Sequence, residues 1–392
     1  MSFSRSPMPS SPRFFVMSRF SRRFSSRRLG AFLSPSRPRF RSCPRFRSCL
    51  RPCPRHRGVA VLVASALVSA PALTACGDTS AGASGTSAGS GAHLNLVGFA
   101  VIKSAYDDLG KAFARTAPGK GVTFKGSFGA SGAQSRAVVA GQKADVVALS
   151  MTPDVDTIVK AGLIDPAWNA GPSQGIVSRS VVVIAVRKGN PKGITGWPDL
   201  VEPGVGIVTA DPGTSGAAKW NLLAAYSQAL GPAKDKAAAT AYLSRFVKNV
   251  VSWNDSGRTA TDAFVKGTGD ALISYENEAI AARAAGVEID YVVPDATFLI
   301  ENPAAVTRTA PPAAREFLAF VAGPDGQRLL GARGFRSIDN ALTVTGVRGA
   351  NDPAAPFPAV RSLTTVADLG GWATVNAALF DKDTGLVTRL RR

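Results

Sequence analysis

"FGASGAQSRAVVAGQKADVVALS", Phe128 to Ser150, decides how the rest of the chain is read. Small residues crowd a turn, an Ala/Val-rich helical pattern follows, and "ADVVALS" closes as a short apolar strand. A strand passing through Gly and Ser into a helix leaves unpaired N–H groups and the positive end of the helix dipole at the turn. Ser131 and Gln134 fit an S-x-x-Q capping box, which places Ser131 at a helix N-cap. Such a start favours an anion, although any one Ser/Gly helix start is most often only a cap.

Working outward, the pattern has two counterparts. "ADPGTSGAAKW" follows the strand-like "GVGIVTA", and "NDSGRTATDAF" follows "NVVSW". Three such ends aimed at one point would surround a small oxyanion with neutral donors. Around them, apolar strands alternate with helical stretches from Leu94 onward. "LNLVGFA", "GVTFKGSF", "SVVVIAVRKG", "GDALISY" and "IDYVVP" read as strands; "SAYDDLGKAFART", "TPDVDTIVKAGLI", "AAKWNLLAAYSQAL" and "KAAATAYLSRFVKN" read as helices. "AAREFLAFVAGPDGQRLLGA" reads as a helical hairpin. Alternation of this kind predicts α/β layers with largely parallel sheets. There is no convincing tandem repeat.

The formal charge of +19 over 392 residues invites a nucleic-acid reading, so its location matters. Fifteen of the 46 basic residues are arginines in residues 1–57, which contain no Lys, Asp or Glu; the remainder is 31 basic against 27 acidic residues. The body is only mildly basic, which gives nucleic-acid binding little support. Cys43, Cys49 and Cys53 lie in the same Arg-rich leader, and Cys76 follows the apolar run "VAVLVASALVSAPALTA". A basic region, an apolar stretch and small residues before a boundary make a secretory signal. "LTAC", Leu73 to Cys76, resembles the lipobox of bacterial lipoproteins, which implies cleavage before Cys76 and diacylglycerol on its thiol; an ordinary signal peptide with an incidental Cys is the alternative. Acyl chains in that number anchor a protein stably to a membrane. After cleavage no other cysteine remains, which excludes disulfides and thiolate metal sites. Residues 1–57 are long for a signal and read either as an upstream misplaced start or as a disordered basic extension. "GDTSAGASGTSAGSGA" after Cys76 is a flexible tether.

Several enzyme classes fail on residue types. The G-x-S-x-G match "GTSAG", Gly85 to Gly89, lies in that tether, where no strained strand-to-helix turn can form. Walker A and G-x-G-x-x-G patterns are absent. The only histidines are His56 in the leader and His93 at the tether's edge, so a Ser–His triad or His-ligated metal has no histidine in the body. Glu276 and Glu278 in "SYENEA" read as first-turn residues of a helix, complementing its dipole.

The opening stretch, "SVVVIAVRKGNPKGITGWPDLVEPGV", "TSGAAKWNLLAAY" and "GDALISYENEAI" resemble the sulfate/thiosulfate-binding proteins of ABC importers, as do "IENPAAV" and "GGWATVNAALFDKDTGLVTRL". The likeness covers nearly all of residues 94–392. It implies an α/β, two-lobed periplasmic-binding-protein-like fold of type II, with mixed sheets flanked by helices and a hinge between lobes. Residues 94–180 with 293–392 would form one lobe and 181–292 the other, behind a leader (1–75) and a lipidated tether (76–93). The resemblance also implies a protein on the outer face of the cell membrane that captures sulfate or thiosulfate and delivers it to permease subunits and, through them, their ATPase. No catalysis, cofactor, metal or nucleic acid is expected.

Carried over residue by residue, the family's anion contacts fall on Ser131 and Gly132 in "GASG", on Ser215, Gly216 and Ala217, and on Gly257 with Arg258 after it. The indole that often lines the family's site is replaced by Tyr275, and an Arg near the second helix start corresponds to Lys219. In the first loop, "GFAV" stands where relatives carry "SYD" or "AYST", so Phe99 and Ala100 keep backbone donors but lose side-chain ones. Ala217 keeps its N–H and adds a methyl. Sulfate offers only acceptors and suits a donor-only pocket, whereas phosphate keeps a proton that needs an acceptor; Asp255 is the nearby carboxylate that leaves phosphate open. Molybdate and tungstate, which need a wider cavity, are further alternatives. An oxyanion-handling surface enzyme and a basic binder acting through residues 1–57 are the readings from other classes.

Overall fold

The long apolar run around Val181 organises the molecule. In the computed structural model, which describes residues 91–392, it forms β4 (Ile176–Arg187). In chain order the elements before it are β1 (His93–Phe99), α1 (Lys103–Phe113), β2 (Thr123–Gly129), α2 (Ser131–Val139), β3 (Val146–Ala148) and α3 (Thr152–Lys160). After it come β5 (Ile207–Ala210), α4 (Gly216–Leu230), α5 (Lys236–Lys248), β6 (Val250–Asn254), α6 (Gly257–Val265), β7 (Ala271–Tyr275), α7 (Glu276–Ala284), β8 (Ile289–Val292) and β9 (Ala296–Val306). The chain ends through α8 (Pro312–Ala322), α9 (Pro324–Ala332), β10 (Ser362–Thr364) and the short helices α10 (Gly371–Val375) and α11 (Leu386–Leu390). His93 opens β1 rather than ending a tether, and its Nδ1 lies 2.9 Å from the Thr123 hydroxyl.

The strand order is β2-β1-β3-β9-β4-β7-β5-β6, with β10 on β9 and β8 on β4. β4 changes partners along its length: residues 176–181 pair with β9, and residues 182–186 with β7. Because its pleat alternates, Val181, Val183 and Ala185 enter one apolar cluster while Val182, Ile184 and Val186 enter another. Burial on both faces explains why the segment is apolar without alternation. The sheets are mixed, and largely parallel pairing does not hold: every antiparallel pairing among the named strands involves β4 or β9. Both run back through the molecule, reversing direction against the βα units on either side.

α4 is apolar on nearly all sides and is buried accordingly. Trp220 meets Phe298 on one side and, at 4.9 Å, the edge of Trp372 from the C-terminal segment. That segment also places Asn376 on Lys219 and Arg391 over Trp253, so the tail packs on α4 and β6. Among the described residues no helix is long and apolar enough to cross a membrane, and no cluster of His, Cys, Asp or Glu could hold a metal ion. Residues 1–75, Cys76 and the "GTSAG" stretch lie outside the described residues.

Candidate anion-binding site

Four helix starts meet around one small cavity of about 10 Å³. Phe99, Ala100 and Val101 bring the turn that leads into α1; Gly129, Ala130 and Ser131 bring α2; Ser215 and Ala217 bring α4; Ser256 and Gly257 bring α6. Ser150, two residues past the end of β3, completes the wall. That volume is far under the roughly 300–1,000 Å³ of drug-sized ligand sites, so only a few-atom ligand suits it. The lining contains no ionisable side chain. The first N–H groups of each helix have no intrahelical acceptor, and each N-terminus stabilises an anion by about 0.3–1 kcal/mol, up to about 2 when partly buried.

The expected cap at α2 is corrected. Ala130 is the N-cap and Ser131 the first helical residue, with no side-chain cap. The Ser131 hydroxyl is committed elsewhere: it donates to Asp154 Oδ2 at 2.5 Å and accepts from the Ser150 N–H at 2.9 Å. Gln134 turns to Ser127 instead of the helix start. The capping box forms on α6, where Ser256 and Thr259 bond each other's backbone N–H. At α4, Ser215 is the N-cap; its N–H bonds the Asp211 carbonyl and its side chain caps nothing.

Close approach explains the small residues. The N–H of Gly132 donates to the Thr214 carbonyl at 3.2 Å, so it reaches across to the α4 loop rather than into the cavity. A Cβ at Gly216 would sit 2.5 Å from Ser150 Oγ, and one at Gly257 would sit 3.3 Å from the Ala217 methyl. That methyl therefore faces Gly257 at the cavity wall. Phe99 lines the cavity with its ring 6.1 Å from that of Tyr275.

Not every expected contact reaches the cavity. Tyr275 is fully buried one layer behind it, with its hydroxyl 2.7 Å from Ser150 Oγ. Arg258 turns away, paired at 3.1 Å with the buried carboxylate of Glu278, and lines a separate outer groove. Lys219 donates to Asn376 at 2.9 Å and lies over Phe380; burial lowers its pKa, and Asp154 offsets part of that. Asp255 is exposed and does not line the cavity. Glu276 and Glu278 occupy the first turn of α7 as expected. Glu276 is held by a bidentate Arg336 at 2.6 and 3.0 Å.

Two residues of the site went unmarked in the sequence reading. Ser150 closes the apolar stretch that contains β3, where a serine at the boundary is ordinary. Asp154 looks like a first-turn acid of α3, yet it is buried, and desolvation raises its carboxyl to about 6 against the opposing pull of Ser131, Lys219 and Arg136.

The sequence profile of the bacterial extracellular solute-binding proteins matches residues 94–336. The sulfate-binding protein of Synechococcus elongatus is 40% identical over 333 residues, covering 81% of this chain and 93% of that one. The thiosulfate-binding protein of Pseudomonas aeruginosa is 28% identical over 76% of this chain and 93% of its own. Among solved structures, the sulfate-binding protein SubI of Mycobacterium tuberculosis superposes with a TM-score of 0.69 at 43% identity, covering 74% of this chain and 100% of its own. With the β4/β9 architecture and four helix starts around one cavity, these likenesses lead to one conclusion: the chain belongs to the bacterial extracellular solute-binding proteins, in the sulfate/thiosulfate-binding family.

Proposed function

We propose that the protein captures sulfate and/or thiosulfate between two lobes and hands it to an ABC permease driven by its ATPase, without turning it over. The observation that carries the reading is the cavity itself: small, enclosed by helix starts and lined by neutral groups. A dianion that only accepts hydrogen bonds satisfies such donors. Hydrogen phosphate brings a proton, and the nearby carboxylate, Asp154, is screened from the cavity by the Ser131 hydroxyl it already binds. A buried group left unpaired costs roughly 1–3 kcal/mol, more when charge is involved, and sites built this way reject mismatched ligands strongly.

The lobes we assign are 94–180 with 293–392, and 181–292. The partner change of β4 near residue 181 supports this division, with the last part of the tail lying against α4. Bonds such as Gly132 N–H to the Thr214 carbonyl would form on closure. We further assign lipidation to Cys76, tethering the binding body to the outer membrane face; loss of fatty-acid labelling in Cys76→Ser tests it.

Calorimetric titration with sulfate, thiosulfate, phosphate and molybdate tests the ligand. One-to-one binding of a sulfur oxyanion with phosphate silent is the expected result. Silence toward both sulfur anions overturns the reading.

A further inference from the structure

Ser150 is unusual in having every hydrogen-bonding group but one accounted for. Its N–H donates to Ser131 Oγ at 2.9 Å. Its carbonyl accepts from Asn302 Nδ2 and from Trp220 Nε1, each at 3.0 Å. Its hydroxyl oxygen receives the same Trp220 N–H at 3.1 Å and lies 2.7 Å from the Tyr275 hydroxyl. A serine hydroxyl has one proton and two acceptor positions. If Tyr275 donates and Trp220 donates, both acceptor positions are filled, and the proton has only the cavity to face. Burial raises the Tyr275 pKa, so the phenol keeps its proton and can donate. The Ser131 hydroxyl, by contrast, is already spent on Asp154.

We propose that Ser150 donates its hydroxyl proton to the captured anion, and that Tyr275 is a positioning residue that acts through it. The relay runs Tyr275 O–H to Ser150 Oγ, then Ser150 O–H to an anion oxygen. It makes the Ser150 wall a one-way donor, closed to a ligand proton, and so a determinant of specificity. The packing supports the placement: Ser150 Oγ occupies the space a Cβ at Gly216 would need, at the first residue of α4. The inference rests on the anion-capture reading.

A double-mutant cycle on the full chain tests it, with binding measured by calorimetry and folding by thermal melting without ligand. Ser150→Ala is expected to weaken sulfate binding about 10- to 100-fold, the range for a hydrogen bond to a charged group. Tyr275→Phe removes one hydroxyl from outside the cavity and is expected to weaken sulfate about 3- to 10-fold in the wild-type background and to have no further effect in Ser150→Ala. Both variants should lose discrimination against phosphate. Wild-type affinity in Ser150→Ala, or an undiminished Tyr275→Phe effect in the Ser150→Ala background, overturns the relay. A variant that fails to melt cooperatively is replaced by Trp220→Phe, which removes the second donor to Ser150 and must then show the same coupling. If the wild-type chain binds molybdate or phosphate instead, the ligand reading fails alone and the cycle is run with that anion. Binding of no oxyanion overturns both.

Discussion

Two concavities share the start of α1, and they differ in how they use charge. The inner cavity, about 10 Å³, has only apolar, hydroxyl and backbone groups on its wall. The outer groove, about 860 Å³, is lined by Lys103, Asp107, Asp108, Arg258, Arg333 and Arg348, yet these charges are largely engaged with one another or with the backbone. Lys103 pairs with Asp107 at 2.6 Å, Arg333 Nε with Asp108 at 2.7 Å, and Arg258 with Glu278. A compact dianion would be expected to sit among cations. Here the cations are half in water, where screening weakens them, while the donors that cost least to bury are gathered at the helix starts. The difference teaches that full charges hold this fold's walls while neutral dipoles line the cavity we propose for the anion.

The division of labour predicts that breaking a buried ion pair costs stability far more than affinity. Arg336 holds Glu276, the residue after Tyr275, in a buried bidentate pair. Arg336→Ala strands that carboxylate and should cost about 3–5 kcal/mol, a fall in melting temperature on the order of 10 °C. Sulfate affinity of the variant that remains folded should change by less than about threefold. A selective loss of affinity with little change in melting would break the comparison.

The next effect is a pH dependence of stability. Burial raises Asp154 to about 6 and Glu278 to about 7, the latter despite Arg258. Both shifts favour the protonated form in the folded state. The stability they permit is therefore fully present below the ordinary carboxylate range and is lost as pH rises through the window ending near 6 and 7. Each carries roughly 3 kcal/mol. Asp154→Asn and Glu278→Gln should each remove part of the fall in stability between about pH 4 and pH 8, read by denaturant titration at each pH. Wild-type stability that rises over that window would contradict the burial of these acids without full compensation.

Against the Ser150 side of the cavity wall, Gly216→Ala puts a methyl carbon 2.5 Å from Ser150 Oγ and 2.8 Å from its Cβ. The wall must move, and overpacking of this kind costs about 1–3 kcal/mol. Because the displaced group is the proposed donor, sulfate affinity should fall about 100-fold with cooperative folding kept. Unchanged affinity would place the anion elsewhere.

Much of this was readable from the chain because local rules and tertiary structure agree. Alternating segments from β1 to α7 announce themselves by period, and the Gly/Ser turns before α2, α4 and α6 mark helix starts that the fold then brings together. β9 was harder to read: Glu301, Asn302 and Pro303 interrupt its apolar pattern, yet Asn302 is buried against the Ser150 carbonyl and Pro303 lies opposite Ile176. Arg258 read as a ligand contact because it follows Gly257, but one residue along α6 is about 100° around the helix axis, and Arg258 faces Glu278. Ser150 and Asp154 carried no signal at all, since their roles depend on Tyr275, Trp220 and Ser131, which lie 19 to 125 residues distant.

The smallest effect expected is at the groove, and it sharpens the comparison most. Lys103 stands at the first residue of α1, at the positive end of its dipole, where a cation is unfavourable unless paired; Asp107 supplies the pair one turn on. Such exposed pairs are worth about 0–1 kcal/mol. Lys103→Gln and Arg333→Gln should leave sulfate affinity within about twofold and melting within about 2 °C. Raising salt from about 0.05 to 0.5 M with a chloride should shift the dissociation constant less than about threefold, since an enclosed site is screened little while groove charges are screened strongly. A steep salt dependence that vanishes in Lys103→Gln would mean that the groove's cations contribute to holding the anion, and the helix starts would no longer suffice to explain the binding.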